Sequence, residues 1–110
     1  MTDDSMADAR LLSPDVLTET VESDGVSEAL STASRALFEG ALEVGLWEAG
    51  PGEDTDVEVD ELFLVVAGRG VVTFEDGSSI DLGPGVLVRL RQGDRTTWEI
   101  TERLRKVHVT

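Results

Sequence analysis

From residue 41 the chain reads as short apolar runs divided by turn residues. The runs are "ALEVGLWE", "ELFLVVA", "GVVTFE", "SSIDL", "VLVRL", "TTWEIT" and "LRKVHV", and the breaks are "AGPGED", "GRG", "EDGS", "GPG" and "RQGD". Short β-type runs at this close spacing, with no helical stretch between them, predict an antiparallel sandwich or barrel. Asp76-Gly77 predicts a tight hairpin, because a two-residue turn there needs positive φ. Arg69-Gly70 is read as a second turn. Side chains alternate across a strand, which assigns the faces. Glu61, Phe63 and Val65 share one face and Leu62, Leu64 and Val66 the other, so this strand is expected to be covered on both sides, by the barrel interior and by a second sheet or subunit. Thr96, Trp98 and Ile100 face together, away from Thr97, Glu99 and Thr101. Arg105, Val107 and Val109 oppose Leu104, Lys106 and His108.

Upstream, the pattern is different. Residues 1–12 are polar and acidic and are expected to be disordered. "SPDVLTETV" carries a helix-start signal, with Ser13 as N-cap, Pro14 at the first helical position and Asp15 in the first turn. Its apolar spacing supports two turns at most. Residues 23–38 fit either a helix or an extended arm. The division is therefore an acidic extension over 1–34 and a barrel over 35–110.

Composition narrows the chemistry. There is no cysteine, which excludes disulfides, thiolate-bound metals and thiol nucleophiles. No apolar run reaches the ~20 residues a membrane helix needs, and "MTDDSMADAR" lacks the apolar core of a signal peptide. A cytoplasmic protein without membrane contact is expected. The net charge of −14 argues against nucleic acid, whose phosphates it would repel. The charge is uneven. Acids crowd residues 1–28 and 53–61, whereas Arg89, Arg91, Arg95, Arg103, Arg105 and Lys106 cluster toward the end.

A longer series of residues then stands out: Trp47-Glu48, Pro51-Gly52, Asp60-Glu61, Gly68-Arg69, Asp76-Gly77, Gly85, Gly93, Trp98 and Arg105-Lys106. In order and spacing the series resembles the cupins, and most closely the small single-domain cupins grouped with ureidoglycine aminohydrolase. The resemblance covers most of residues 40–109. It implies an all-β double-stranded β-helix (a jelly-roll barrel) with a ligand pocket at one mouth, a short N-terminal helical or extended arm, and a homodimer. Cupin metal sites take two histidines and a glutamate from a first motif and a histidine from a second. Here Glu61 and Gly68 keep the first spacing. The histidine positions fall on Asp54 and Asp56, or on Thr55 and Val57 if counted one residue shorter. Gly85 and Gly93 keep the second frame, with Arg91 at the proline position and Thr96 at the histidine position. The metal-binding histidines are missing.

Glu61 therefore needs another account. An ionised carboxylate leaves water at a cost of several kcal/mol unless a cation accompanies it. Lys106, Arg89 and Arg91 are the candidate partners, and Lys106 is equally a candidate for Glu48. A carboxyl group in a partly desolvated pocket can serve as acid or base. Trp98, on the face of Thr96, either fills the space of a lost metal or walls a pocket, and Trp47 carries the same two readings. The candidate ligand-binding residues are Glu61, Trp98, Lys106, Trp47, Arg89 and Thr96. No cofactor is expected; an all-oxygen divalent-metal site from Asp54, Asp56 and Glu61 is the weaker alternative. His108, the single histidine, cannot rebuild a metal site alone. Gly68-Arg69-Gly70 precedes no helix and so is no phosphate loop. Three functions remain open: a metal-free cupin binding a small polar molecule at the barrel mouth, a metal-dependent small-molecule enzyme of the ureidoglycine aminohydrolase-like group, and a non-catalytic interaction or regulatory module.

Overall fold

The computed structural model describes residues 10–110, so most of the segment expected to be disordered lies outside it. Eight antiparallel strands form one continuous sheet: β1 (Glu22–Ser23), β2 (Ala33–Glu39), β3 (Glu43–Ala49), β4 (Gly52–Val57), β5 (Glu61–Phe74), β6 (Ser79–Leu82), β7 (Leu87–Leu90) and β8 (Arg95–Val109). The sheet runs β1-β2-β3-β8-β5-β6, with β4 also on β8 and β7 also on β5. The all-β jelly-roll expectation is met. No helix of the described residues is long and apolar enough to cross a membrane.

Two long strands organise the barrel. One end of β5 pairs with β7 and with the C-terminal half of β8 (Leu62 opposite Val109, Leu64 opposite Val107). Its other end pairs with β6 and with the N-terminal half of β8 (Val72 opposite Trp98, Phe74 opposite Thr96). Between them the register shifts repeatedly from Val65 to Gly70. "GRG" is thus not a turn; it is a bulged bend inside one strand. Gly68 takes a φ of +91°, and a Cβ there would run into the Arg103 carbonyl and the Leu104 Cα. The backbones cross too closely for a side chain. Asp76-Gly77 does lie in a hairpin, but the loop has three residues rather than two: the Phe74 N–H donates to the Ser78 carbonyl at 2.8 Å and the Gly77 N–H to the Phe74 carbonyl at 2.9 Å, and of the pair only Gly77 takes a positive φ, +88°.

The core fills from the inner faces of the strands. Phe63, Val65, Val72, Leu82, Val88, Leu90, Trp98, Ile100 and Leu104 pack there, together with Leu30 from the N-terminal segment. Period-two alternation grouped the faces as read: Phe63 and Val65 are buried together on β5, and Thr96, Trp98 and Ile100 together on β8. The outer side of β5 is not covered within the single chain, where Leu62 and Leu64 are 49% and 39% exposed.

The N-terminal segment is an extended arm. At Asp15 a single turn forms, with Thr18 and Glu19 N–H groups donating to the Asp15 carbonyl at 3.2 and 3.0 Å, and it goes no further. Helix nucleation is costly, and an isolated two-turn segment with Leu17 in solvent has no packing to offset it. The arm is tied down by Arg105, whose Nη1 donates to the carbonyls of Val16 (2.9 Å) and Glu19 (2.6 Å).

"GEDTDV", read as part of a loop, is strand β4. It pairs with β8 so that Asp54 lies opposite Trp98 and Asp56 opposite Thr96. Charge conceals the strand in the sequence; pairing with β8 supplies what local propensity does not.

Candidate functional site

Lys106 lies on the inner face of β8, opposite Trp47 of β3 and Val65 of β5. Its Nζ donates to Glu61 Oε2 at 2.6 Å, with the two side chains 6% and 12% exposed. The ammonium also sits 4.8 Å from the Trp47 ring centre, 4.3 Å from Phe63 and 5.0 Å from Trp98. The rings brace one another, with centres 5.5 Å apart for Trp47–Trp98 and 5.6 Å for Phe63–Trp98. Each desolvated cation–π contact contributes up to about 2 kcal/mol. The one lysine is thus held by a carboxylate and three aromatic faces, which offset the cost of burying its charge.

This assembly borders a cavity of about 310 Å³ at the barrel mouth. Trp47, Trp98, Glu61, Lys106 and His108 line it from the barrel, and Asp54, Asp56 and Glu58 from β4 and its continuation. Val26, Ser27, Leu30 and Thr32 close one side. That wall is a loop fixed by its own side chains. Asp24 Oδ1 accepts from the Val26 N–H (2.9 Å) and the Thr32 hydroxyl (2.7 Å), and the Ser27 hydroxyl donates to Asp54 Oδ2 at 2.6 Å. The Ser27 contact holds the Asp54 carboxyl below its usual range.

Glu58 is the residue that the sequence reading missed. It is 8% exposed, and its Oε2 accepts from the Thr96 hydroxyl at 2.6 Å and from the Trp98 indole N–H at 3.0 Å. Burial pushes its carboxyl above the ordinary 4.5. Those two hydrogen bonds and Lys106 pull the other way, while Asp56 adds to the rise. The signal was present: Gly52, Asp54, Asp56 and Glu58 alternate at period two, so a strand through "GEDTDVE" puts all three acids on the barrel side. His108 sits beside Lys106's end of the cavity. Burial lowers its pKa, helped by Lys106 and opposed by Glu61 and Glu43, and its Nδ1 is buried with no hydrogen-bond partner among the described residues.

Four of the anticipated residues, Glu61, Trp98, Lys106 and Trp47, therefore meet at one cavity. Thr96 stands behind it, positioning Glu58. Arg89 does not join them. It lies opposite Leu62 on the outer side of β7, while Val88 and Leu90 turn inward, and it borders a separate depression with Arg91, Asp94 and Glu75. Glu48 is not the partner of Lys106 either; it binds Arg103 and, at 2.7 Å, Arg105. A wider depression of about 580 Å³ runs along β4 and the end of β5 but contains no buried charge.

The donor set does not suit the metal that cupins commonly hold. Among the described residues no three His, Asp or Glu side chains converge as metal ligands. Asp54 is engaged by Ser27 and by its own strand, and Glu61 already holds an ammonium.

Comparison with known proteins agrees with this architecture. The EutQ-like cupin domain matches residues 37–108. No curated protein matches the chain. Among solved structures, a putative ethanolamine utilization protein Q from Salmonella typhimurium LT2 superposes with a TM-score of 0.74 at 15% identity, covering 86% of this chain and 80% of that one. Ectoine synthase from P. lautus gives 0.67 at 16% identity, over 76% and 65%. A protein of unknown function from Pseudomonas syringae pv. tomato is 28% identical, with a TM-score of 0.66. That match covers 83% of this chain but 42% of the other, so the chain spans under half of that relative. The match over residues 37–108, the jelly-roll order of strands and the vacated histidine positions lead to one assignment: the chain belongs to the EutQ-like cupin family.

Proposed function

We propose that this protein is a metal-free cupin that binds a small polar molecule at the barrel mouth. The observation that carries the reading is Lys106, set among Trp47, Phe63 and Trp98 and paired with Glu61 on the border of an open cavity. An internal ammonium provides the positive charge that a metal provides elsewhere in the superfamily. Glu61, Trp98, Lys106 and Trp47 contact the ligand, with Glu58 added and Thr96 acting through Glu58. Arg89 has no part in it.

The test combines two measurements on protein purified without chelator. Metal analysis is expected to give far less than one equivalent; stoichiometric manganese, iron or zinc would overturn the reading in favour of a metal-dependent enzyme. A thermal-shift screen of small polar metabolites is expected to find compounds that raise Tm saturably, since a ligand at a hundred times its Kd adds about 2.7 kcal/mol. No shift with any compound would instead favour an interaction module.

We also propose a homodimer through the outer side of β5. Leu62, Leu64 and Leu87, the last 70% exposed, form an apolar strip continued by Val107 and Val109. The arm covers only the neighbouring ground around Arg105. Light scattering is expected to give twice the chain mass, and Leu64→Lys to halve it. A wild-type monomer at micromolar concentration would sink the proposal.

A further inference from the structure

The lining of the mouth cavity points to a definite class of ligand. Around it stand Asp54 and Asp56 on β4, Glu58 just beyond, and Glu61 on β5, against a single cation, Lys106. The positive end of Lys106 is already committed to Glu61 and three ring faces. Burial lowers the His108 imidazole, with Lys106 assisting and Glu61 and Glu43 opposing, which disfavours a second positive charge there. The described hydrogen bonds to Glu58 both fall on Oε2, so Oε1 of this deeply buried side chain is left for whatever enters. A carboxylate or phosphate ligand would face uncompensated acids and find the one lysine's charge already paired with Glu61. An ammonium or guanidinium would find an acceptor in Glu58, charge complementarity with Asp54 and Asp56, and the faces of Trp47 and Trp98 to lie against.

We infer that the site takes a small organic cation, a primary amine or guanidine bound through Glu58 and Asp56 against the tryptophan wall. This inference rests on the mouth cavity being a ligand site. The cation and a proton compete for Glu58. Burial raises the Glu58 carboxyl above 4.5, with Asp56 assisting and Thr96, Trp98 and Lys106 opposing. Binding is therefore weak when Glu58 is protonated, and it strengthens as pH rises through its titration.

The chain's two tryptophans both line the cavity, so their fluorescence reports occupancy directly. The probes are n-butylamine, n-butylguanidine, n-butanol and butyrate at matched ionic strength. Both cations are expected to change the emission saturably, at least about tenfold more tightly than the alcohol or the anion, as for a charge-assisted hydrogen bond. Glu58→Gln is expected to weaken the cations by about tenfold and to flatten their pH dependence. Glu99→Gln, an exposed acid elsewhere on β8, is expected to change neither, which separates the site from general surface charge. Preferential binding of butyrate or butanol would overturn the cation assignment while leaving the cavity as a ligand site. Silence from all four probes, together with an empty metabolite screen, would overturn both. Unchanged cation binding in a folded Glu58→Gln protein would remove Glu58 from the site and with it the inference.

Discussion

Arg105 and Lys106 are adjacent on β8, yet they end in opposite circumstances. Alternation turns Arg105 to the outer face and Lys106 to the barrel. Arg105 donates to Glu48 and to two carbonyls of the arm, and Arg103 binds the same glutamate. Its side-chain bonds all go to the chain itself, two of them to carbonyls of the arm, which is the mark of a structural clamp. Lys106 makes one hydrogen bond and rests on three rings beside an open cavity. Both groups hold a carboxylate and a cation away from water. Only the inner one lies beside an open cavity walled by acids and tryptophans, and that distinguishes a place for a ligand from a place that only holds the fold.

The outer clamp should be the easier to break. Arg105→Ala leaves Glu48 with Arg103 alone in a poorly solvated position and releases the arm. It is expected to cost about 2–3 kcal/mol, less than the ~3–5 kcal/mol for removing one partner of a buried pair, because Arg103 still holds Glu48. Urea unfolding measures the loss, and limited proteolysis is expected to cut within residues 13–20. Retention of both full stability and protease resistance would mean the clamp is idle.

Lys106→Met is expected to cost about 2 kcal/mol by leaving Glu61 without its cation, offset in part by the apolar stem that the rings already contact. Adding Glu61→Gln should restore much of that loss. A coupling energy near zero in the double-mutant cycle would show that the pair does not function as a unit.

Half-buried Glu48 and buried Glu58 should also titrate with opposite signs. At Glu48, burial alone would raise the pKa, but the bonds from Arg105 and Arg103 outweigh it and the net shift is downward. Its contribution to stability is therefore complete above the ordinary 4.5 and is lost as pH falls through the lower folded value. At Glu58 burial wins and the folded pKa is raised. The folded state then holds the proton more tightly, so stability falls as pH rises from 4.5 through the folded value. Equilibrium unfolding across pH 3–8 is expected to lose its acid-side slope in Glu48→Gln and its higher-pH slope in Glu58→Gln. The same sign in both variants would contradict the environments described here.

The smallest effect belongs to Arg89. On the outer face and away from the cavity, Arg89→Ala is expected to change stability by under about 0.5 kcal/mol and to leave probe binding unchanged. A binding defect there would return Arg89 to the site.

Alternation along single strands was legible in the sequence wherever apolar residues marked it. It put Phe63 on the face of Glu61, Trp98 on the face of Thr96 and Lys106 on the face of Leu104, and applied to "LVRL" it places Arg89 outward with no structure at all. The spacing of Glu61, Gly68, Gly85 and Gly93 carried the cupin frame. What the sequence hid shares one cause, since strand pairing between distant residues overrides local preference. "GEDTDV" looks like a solvated loop until β8 pairs with it. "GRG" looks like a turn until β8 crosses it too closely for any Cβ. Lys106 had Glu48 and Glu61 as equal candidates, and Glu58 looked like one more surface acid. Which of them became buried depended on barrel closure, because only closure brings Thr96 and Trp98 to Glu58 and turns Glu61, but not Glu48, toward the lysine. The sequence by itself determined the apolar strands, which residues share their faces, and the loss of the histidines. The tertiary structure decided the partners, because burial and charge pairing are properties of the closed barrel and of no segment alone.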